Sequence, residues 1–402
     1  MRGFDRRRFL GLAGALPAGL AARAAADSGA ASPGRADPAA DCWLEVDLDA
    51  VAANLARVRA HAGGRPVMAV VKANAYGHGL VPVGRRLERA GADALAVGKC
   101  EEALSLRAAG VTAAVLNFGP FSRADALELV RHGVSQSVFT DEVTWLAEAA
   151  RELERPARVH VKVDTGLGRV GVPHDRALAF LSRVHATPGV EIEGVFTPFT
   201  EDDEYDRVQL ERFLALCAAA QERGISVGLR HAASSAGVLS FPAAHLDMVR
   251  PGIALYGHYP STREYEARRI DLRPAMSLKA RVSYVKTLRP GESVSYHRAF
   301  VAERETRVAT LAIGYADGYP HRAAGRAEAV VRGRRCPTIA LVTSNHATLD
   351  VTGAPDVAIG DEVALIGRQG ESAVTAEELA AWADTSVYKI LIGANPSLQR
   401  VF

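Results

Sequence analysis

The sequence predicts an α/β fold in which a (β/α)8 barrel is followed by a second, mostly β domain. Between about residues 66 and 256, short β-branched segments alternate with amphipathic ones, and the β-branched segments are apolar almost without interruption. Such continuity is typical of parallel strands that helices cover on both faces. The second domain is predicted because, after about residue 273, β-like segments follow one another without long helices between them.

The composition is that of an ordinary globular protein. Of the 402 residues, 48% are hydrophobic and 23% are charged, and the formal net charge is +2. This even balance gives no support to a nucleic-acid interface or to a polybasic membrane patch. The four cysteines, at positions 42, 100, 217 and 336, include no CxxC pair, so no metal site is expected from them.

Residues 1–26 are predicted to be a signal peptide. Arg6 and Arg7 are followed after one residue by Phe9 and Leu10, then by a short apolar run and three alanines at 24–26. This order resembles a twin-arginine export signal with a cleavage site, and the alternative is a basic, alanine-rich tail. Residues 27–41 are predicted to be a linker. We therefore expect a periplasmic protein whose mature chain does not insert into the membrane.

Residues 42–272 are assigned to the barrel. About eight strand–helix units fit a barrel better than an open doubly wound sheet. The predicted strands cover 67–72, 94–98, 114–118, 135–139, 159–164, 191–196 and 247–256. The predicted helices cover 81–91, 123–132, 141–153, 175–185 and 207–223.

Residues 273–402 are assigned to the β-rich domain. The predicted strands cover 276–288, 294–300, 307–313, 327–331, 338–342 and 363–366, with a turn at 289–292. One late helix is predicted to begin at Thr375, because Glu378 three residues later completes a capping box.

Lys72 is the first candidate for chemistry. It follows the apolar segment 67–71 and would lie at the carboxyl end of the first barrel strand, where barrel enzymes place their catalytic residues. A lysine is most often a solvated surface group. A partly desolvated lysine at a barrel mouth, however, has a lowered pKa and can form a Schiff base with an aldehyde.

Distinctive sequence strings occur along nearly the whole chain beyond the linker. They are WLEVDL at 43–48, VKANAYGHG at 71–79, KVDTGLGR at 162–169, HAASS at 231–235, MVRPGI at 248–253, VSY at 294–296 and IGYADGY at 313–319, with Tyr388 and Arg400 near the end. These strings resemble those of the alanine racemases, which are fold-type III pyridoxal-phosphate enzymes. The resemblance implies a racemase that interconverts L- and D-alanine with pyridoxal 5'-phosphate as its cofactor.

The resemblance also implies a role for each matching residue. Lys72 matches the lysine that binds the cofactor aldehyde, and Arg250, bonded by His231, matches the arginine that faces the pyridine nitrogen. Arg169 matches the arginine near the phenolic oxygen and the substrate carboxylate. The implied ligands of the phosphate are Tyr76, Ser235, the backbone N–H groups of Gly252 and Ile253, and Tyr388. For single residues the alternatives are structural: His231 as a satisfied core histidine, and Arg250 as a surface arginine paired with Asp247.

Racemisation requires a proton to leave one face of Cα and another to arrive on the opposite face. Tyr296 matches the family's second acid/base, which comes from the other subunit, and Tyr315 matches a substrate-entrance tyrosine from that same subunit. The resemblance therefore implies a homodimer with shared active sites. The alternative for Tyr296 is a strand aromatic covering the core. Lys162 matches a lysine that some members carry as a carbamate, and an unmodified lysine paired with Asp164 is the alternative.

The sequence departs from the family pattern near the substrate. Pro198 stands where the family usually has a histidine beside the cofactor, and His297 would point to the opposite face of its predicted strand. Ser344 and Asn345 stand where the family usually has Met-Asp, and Ser234 replaces an asparagine. Because Ser344 is smaller than methionine, we expect Ser344 and Asn345 to form a substrate pocket that admits side chains larger than the methyl group of alanine.

Two other functions remain open from the sequence. A fold-type III decarboxylase would share the architecture and the lysine, although the VSY and GYADG strings argue against it. A non-catalytic protein that binds pyridoxal phosphate or D-amino acids is the other alternative, because Pro198 removes a side-chain donor.

Overall fold

The computed structural model describes residues 40–402. The predicted signal peptide and all but the last two residues of the predicted linker lie outside the described residues. None of the helices between residues 40 and 402 is long and apolar enough to cross a bilayer. The predicted fold class is confirmed: a barrel of parallel strands precedes a mostly β domain.

The barrel is built from short parallel strands that follow β1 (Cys42–Val46). They are β2 (Met68–Val70), β3 (Ala94–Val97), β4 (Ala114–Asn117), β5 (Ser135–Val138), β6 (Ala157–Asp164), β7 (Val172–Pro173), β8 (Val190–Phe196) and β9 (Leu229–His231). Each pairs with the next around the sheet, except that β7 pairs only with β6 and β6 continues to β8. A parallel bridge between Val67 and Val249 closes the ring, and the amide of Met68 donates to the carbonyl of Val249 at 2.9 Å.

Two details of the barrel differ from the sequence-based expectation. The short strand β9 is not among the predicted strands. The segment predicted as a strand over 247–256 turns at Gly252 into a 3-10 helix, Ile253–Tyr256. This turn brings the amides of residues 252–254 to the barrel mouth, close to the hydroxyl of Ser235.

Helices cover the outside of the barrel and two more close the second domain. They are α1 (Leu48–His61), α2 (Lys72–Tyr76), α3 (Leu80–Arg89), α4 (Cys100–Ala108), α5 (Arg123–Arg131), α6 (Val143–Glu152), α7 (Ala177–His185), α8 (Asp203–Glu222), α9 (Ser235–Ser240), α10 (Thr262–Ala267), α11 (Ala376–Trp382) and α12 (Val387–Gly393). The capping box predicted at Thr375 and Glu378 is present at the start of α11.

The second domain is one curled antiparallel sheet with a small hairpin beside it. Its strands are β10 (Met276–Leu288), β11 (Ser293–Val294), β12 (Phe300–Val301), β13 (Thr306–Leu311), β14 (Glu328–Val331), β15 (Arg334–Ile339), β16 (Ala347–Asp350), β17 (Glu362–Gln369), β18 (Ser372–Val374) and β19 (Gln399–Val401). Strand β10 has the predicted bounds. Strand β1, which the sequence places with the barrel, pairs with β10 and with β19 instead.

The strand predicted over 294–300 is wrong. The chain leaves β11 at Ser295, which has φ 75°, and forms a 3-10 turn, Tyr296–Arg298, before β12 begins. His297 and Arg298 also have positive φ values, of 58° and 52°. Non-glycine residues rarely adopt this region, so a strand cannot continue through the turn. His297 therefore does not lie opposite Tyr296 on a pleated strand.

The two domains meet behind the barrel mouth. The Nε of Arg400 donates to the carbonyl of Gly77 at 2.8 Å, and a Cβ on Gly77 would lie 2.2 Å from the carbonyl oxygen of Leu391. A continuous apolar core contains buried residues from β2 and β3 and from β10 and β13. The β domain therefore holds the loop that follows Lys72.

Candidate active site

A cavity of about 290 Å³ opens at the carboxyl ends of the barrel strands. The structure brings most of the predicted cofactor residues together in its lining. These are Lys72, Tyr76, Arg169, Ser235, Arg250, Gly252, Ile253 and Tyr388. His231 lies against Arg250 behind the lining. The same cavity is lined by Lys162, the lysine that some family members carry as a carbamate, and by Pro198 and Ser234, which depart from the family pattern.

Lys72 is placed by the buried strand that precedes it and by an uncommon turn that follows it. Residues 73–76 all have φ between 52° and 55°, in the left-handed region. Glu102 holds this turn, because its carboxylate accepts hydrogen bonds from the amides of Asn74 and Gly98, both at 3.0 Å. The side chain of Asn74 accepts from the amide of Leu80 at 2.7 Å. The strand direction and this fixed turn together aim the Lys72 side chain into the cavity.

The cavity concentrates positive charge. Desolvation at the barrel mouth, with the nearby charge of Arg169, lowers the pKa of the Lys72 ammonium. Desolvation and the charges of Arg169 and Arg250 lower the pKa of Lys162 to about 8. Asp164 does not bond to Lys162: its carboxylate accepts from the backbone amides of Gly166 and Gly168. Such a site favours an anionic ligand and makes its lysines more nucleophilic.

Arg250 is buried and fixed from several sides. It is 7% exposed, and its Nη2 donates to the carbonyls of Thr197 and Ala232 at 3.1 and 3.0 Å. Its Nη1 lies 3.1 Å from Nδ1 of His231, and its guanidinium carbon lies 5.2 Å from the centre of the Phe196 ring. Burial, together with the charge of Arg250, lowers the pKa of His231 well below its usual range. A neutral His231 therefore accepts the hydrogen bond from the guanidinium.

A cradle for an anion lies beside this arginine. A Cβ at Gly252 would lie 2.4 Å from the hydroxyl oxygen of Tyr76, so only glycine leaves room there. The hydroxyl of Ser235 accepts from the amides of Gly252 and Ala254 at 2.9 and 3.3 Å. The rings of Tyr76 and Tyr388 lie 6.1 Å apart. Backbone N–H groups and hydroxyls grouped in this way suit a phosphate.

Two carboxylates of the site were missed from the sequence. Glu201 lines the cavity and hydrogen-bonds Ser234, and burial together with Asp206 raises the pKa of its carboxyl group. Glu102 supports the turn after Lys72. Glu201 lies three residues after Pro198, so the departure from the family pattern there could have drawn attention to it. No sequence pattern indicated Glu102, because its partners are backbone amides 28 and 4 residues away.

The other predicted residues lie on the β domain, outside the lining of this cavity. Tyr296 is 71% exposed and Tyr315 is 54% exposed. Ser344 and Asn345 are exposed in the bend between β15 and β16. The amide of Tyr315 donates to the carbonyl of Thr343 at 3.0 Å, and that of Ala316 donates to Ser344 at 3.0 Å. The structure thus brings Tyr315 and Ser344 together on one surface.

Family comparisons cover both domains. Residues 46–260 match the family model described as "Alanine racemase, N-terminal domain", and residues 275–402 match "Alanine racemase, C-terminal domain". The alanine racemase of Symbiobacterium thermophilum is 42% identical over 365 residues, which are 90% of this chain and 96% of that protein. The alanine racemase of Syntrophobacter fumaroxidans is 40% identical over 89% of this chain and 96% of its own length.

Solved structures of alanine racemases are similar to this chain over both domains. Alanine racemase from D-cycloserine-producing Streptomyces lavendulae has a TM-score of 0.84 and 36% identity, covering 90% of this chain and 96% of its own. Alanine racemase from Bacillus anthracis with bound L-Ala-P has a TM-score of 0.82 and 35% identity, covering 90% and 94%. The similarity therefore extends over both domains and the cavity between strand ends and β domain.

Proposed function

Since the chain belongs to the alanine racemase family, we propose that its cavity is the active site of a pyridoxal-phosphate-dependent enzyme that interconverts L- and D-alanine. One observation carries the proposal. One cavity at the carboxyl ends of the barrel strands contains three features together. They are Lys72 with its lowered pKa, the buried Arg250 bonded to His231, and the anion cradle at Gly252.

The residues present fit the cofactor. When bound, pyridoxal phosphate supplies an aldehyde that reacts with amines and a conjugated ring that delocalises the electron pair left at Cα. Lys72 would hold the aldehyde end, and Arg250 would face the ring nitrogen. A fixed cation there disfavours protonation of the ring nitrogen, because like charges repel, and this limits side reactions. The phosphate would be held by the cradle of Tyr76, Ser235, Tyr388 and the amides of Gly252 and Ile253.

The chain supplies the two groups that move protons. The Nζ of Lys72 would exchange a proton at Cα on one face of the bound substrate. The hydroxyl of Tyr296 from a partner subunit would exchange the proton on the opposite face. A second group is needed because one base cannot easily serve both faces of a bound, planar carbanion. Arg169, at the cavity mouth, would orient the substrate carboxylate through charge-assisted hydrogen bonds.

The proposal includes a homodimer that shares its active sites. Tyr296 and Tyr315 are large aromatic side chains that are mostly exposed on the β domain. A second copy of the chain that covers this surface would bring both tyrosines to the cavity of its neighbour. That copy would supply the acid/base group on the face of Cα opposite Lys72.

We also propose that the substrate range extends beyond alanine. Ser344 presents a small side chain beside Tyr315, and Pro198 and Ser234 leave the cavity lining less crowded than a histidine and an asparagine would. Steady-state racemisation of alanine, serine, lysine and arginine tests this extension. We expect measurable turnover of the larger substrates, reduced selectively in the double variant Ser344→Met, Asn345→Asp. Turnover of alanine alone in the unaltered protein would contradict it.

The activity itself is tested by the fate of the Cα proton. Incubation of L-alanine with the enzyme in D₂O should replace the Cα proton by deuterium while D-alanine accumulates, and it should release no CO₂. Release of CO₂ without inversion would favour a decarboxylase. A protein that only binds the cofactor or D-amino acids would incorporate no deuterium.

Export of the protein is a separate part of the proposal. The segment 1–26 carries the arginine pair, apolar run and small residues of an export signal, and a folded, cofactor-loaded enzyme suits a route that carries folded proteins. A reporter fused behind residues 1–41 should reach the periplasm. The Arg6→Lys, Arg7→Lys double variant should keep it in the cytoplasm. Export that is indifferent to both arginines, or absent altogether, would contradict this part.

A further inference from the structure

A chain of hydrogen bonds leads from Arg250 down into the barrel interior. The Nε2 of His231 lies 2.8 Å from Nδ1 of His160, and the Nε2 of His160 lies 3.1 Å from a carboxylate oxygen of Glu193. His231 is 0% exposed and His160 is 2% exposed. We call His231, His160 and Glu193 the barrel relay. It connects the cation of the active site with the neighbouring strands β6 and β8.

The donors and acceptors of the barrel relay fit together in only one direction. A guanidinium has donors and no acceptor, so Nδ1 of His231 must accept from Arg250. His231 then carries its proton on Nε2 and donates to Nδ1 of His160. His160 in turn carries its proton on Nε2 and donates to Glu193, which as a carboxylate only accepts. Both histidines are therefore held in the Nε2–H tautomer.

The surroundings are built to hold these rings. A Cβ at Gly194 would lie 2.5 Å from Nδ1 of His160, so the glycine in the middle of β8 leaves the space that this ring occupies. The ring of Phe196 stacks on His231 with an interplanar angle of 10° and a centroid distance of 5.0 Å.

Glu193 is kept as an anion at the far end. The hydroxyl of Ser135 donates to its carboxylate, and Arg158 lies 3.8 Å away. The hydrogen bond from His160, with these contacts, lowers the pKa of the Glu193 carboxyl to about 2. A permanent acceptor therefore stands at the end of the barrel relay across the whole physiological pH range.

We propose that His160 and Glu193 are positioning residues for Arg250, because from the far side of the ring they stabilise the same His231 tautomer that the guanidinium requires, the one whose Nδ1 accepts. In the other tautomer, His231 would present an N–H to a group that only donates, and Arg250 would lose one of its anchors. The inference rests on the proposed function only for the identity of the ligand that faces Arg250. The tautomer itself belongs to the protein without any ligand.

The test is the state of the His231 ring, read by nitrogen NMR on protein with labelled histidine and without added cofactor. In the unaltered protein we expect a single Nε2–H tautomer for His231 and His160. Glu193→Leu removes the terminal acceptor and should produce a mixture of tautomers at both rings. Glu193→Gln should restore the single tautomer, since its amide oxygen still accepts from His160.

A matched control separates this effect from a general loss of charge on the strand. Glu191→Leu removes an exposed carboxylate two residues earlier on β8 and should leave both ring states unchanged. His160→Leu is a second variant, which removes the acceptor of His231 and should mix the His231 tautomers even if Glu193→Leu does not fold. A single Nε2–H tautomer of His231 in both leucine variants of the barrel relay would overturn the proposal, as would an equal change in Glu191→Leu.

Kinetics give an independent readout. The partners that orient metal-bound histidines are typically worth 10- to 100-fold in activity, and by analogy we expect kcat in Glu193→Leu to fall about tenfold with KM for alanine nearly constant. Glu193→Gln should recover most of that loss. Unchanged kcat in a variant whose tautomers are mixed would also contradict the positioning role. If the unaltered protein shows no racemase activity, the proposed function fails while the NMR result stands by itself.

Discussion

At the scale of single residues, Gly252 and Tyr76 define how closely a ligand can approach the backbone. The Tyr76 hydroxyl occupies the space that a side chain at position 252 would need. Tyr76 is itself fixed in a left-handed turn with φ 52° and packs against Tyr256 at 4.9 Å. Neither group can move away easily, so the cradle has a fixed width.

Gly252→Ala should therefore weaken cofactor binding. The new methyl group would lie 2.4 Å from the Tyr76 hydroxyl, so the tyrosine would have to shift within the cradle. Losing its charge-assisted hydrogen bond to the phosphate should raise the dissociation constant for pyridoxal phosphate, measured by fluorescence titration, roughly 10- to 100-fold. Gly353→Ala is the control, since its Cβ would meet nothing within 4 Å. Equal binding in both variants would show that the cradle is elsewhere.

Lys162 gives a prediction about pH. Its pKa is lowered to about 8, so the ammonium form dominates below that pH and the neutral amine dominates above it. Only the neutral amine reacts with CO₂ to form a carbamate and release a proton. Carbon NMR with labelled bicarbonate should show a carbamate signal that grows from pH 7 to pH 9. The signal should be absent in Lys162→Arg, and its persistence there would assign it to another amine.

Single residues also show what the sequence could and could not predict. Lys72, Arg250 and Gly252 stand in distinctive local strings, so they could be assigned before any coordinates were known. His160 and Glu193 stand on different strands and meet only through the register of β6 against β8, which shifts next to His160. Local sequence does not encode that register, so their pairing is visible only in the structure.

At the scale of elements, α11 shows how a short helix is held in place beside the site. Its first turn is closed by the hydroxyl of Thr375, which accepts from the amide of Glu378 at 3.1 Å, while Glu378 accepts from the amide of Thr375 at 2.8 Å. Glu377 in the same turn bonds to the buried His258 at 2.7 Å. The cap therefore anchors the helix that precedes Tyr388.

Thr375→Ala should lower the free energy of unfolding by about 1 kcal/mol, the usual cost of losing an N-cap hydroxyl. Chemical denaturation checks this. Ser105→Ala is the comparison, because that hydroxyl bonds back to the carbonyl of Glu101 within α4 and caps nothing. Its effect should stay within about 0.5 kcal/mol. Equal losses in the two variants would contradict a capping role for Thr375.

Strands and helices were predicted correctly where the local residue pattern determines the secondary structure. Strand β10 was predicted with its observed bounds because thirteen residues without a helix signal leave few alternatives. The segment 294–300 has equally strong β propensity, but three left-handed residues break it. The positive φ values at Ser295, His297 and Arg298 run against the ordinary preference of these residue types, so propensity could not predict them.

At the scale of the whole molecule, the chain divides the proposed site between two surfaces. Lys72 lies at the barrel mouth, whereas Tyr296 is exposed on the β domain. The domains are also interleaved, because β1 completes the β sheet before the barrel begins. Sequence order predicted a simple boundary at residue 272. The pairing of β1 with β10 and β19 could not be predicted, because it depends on residues distant in the chain.

Subunit mixing tests the shared site. Lys72→Ala and Tyr296→Phe should each be nearly inactive alone. The kcat of Tyr296→Phe should fall by about 10²- to 10⁴-fold, which is the usual contribution of a positioned acid/base. Co-refolding equal amounts should restore about a quarter of the unaltered activity, because half the dimers are hybrids and each hybrid holds one intact site. As a control, mixing Lys72→Ala with Gly252→Ala should restore nothing beyond the parents. No recovery with Tyr296→Phe would contradict a shared site.

Borohydride reduction followed by peptide mass spectrometry shows directly whether Lys72 holds the cofactor. Reduction converts the linkage between the cofactor aldehyde and a lysine into a stable amine, so the modified residue can be read from the digest. We expect one phosphopyridoxyl group, on the peptide containing Lys72, and none in Lys72→Ala. Modification of Lys162 or of a surface lysine instead, or a protein that carries no cofactor after loading, would contradict it.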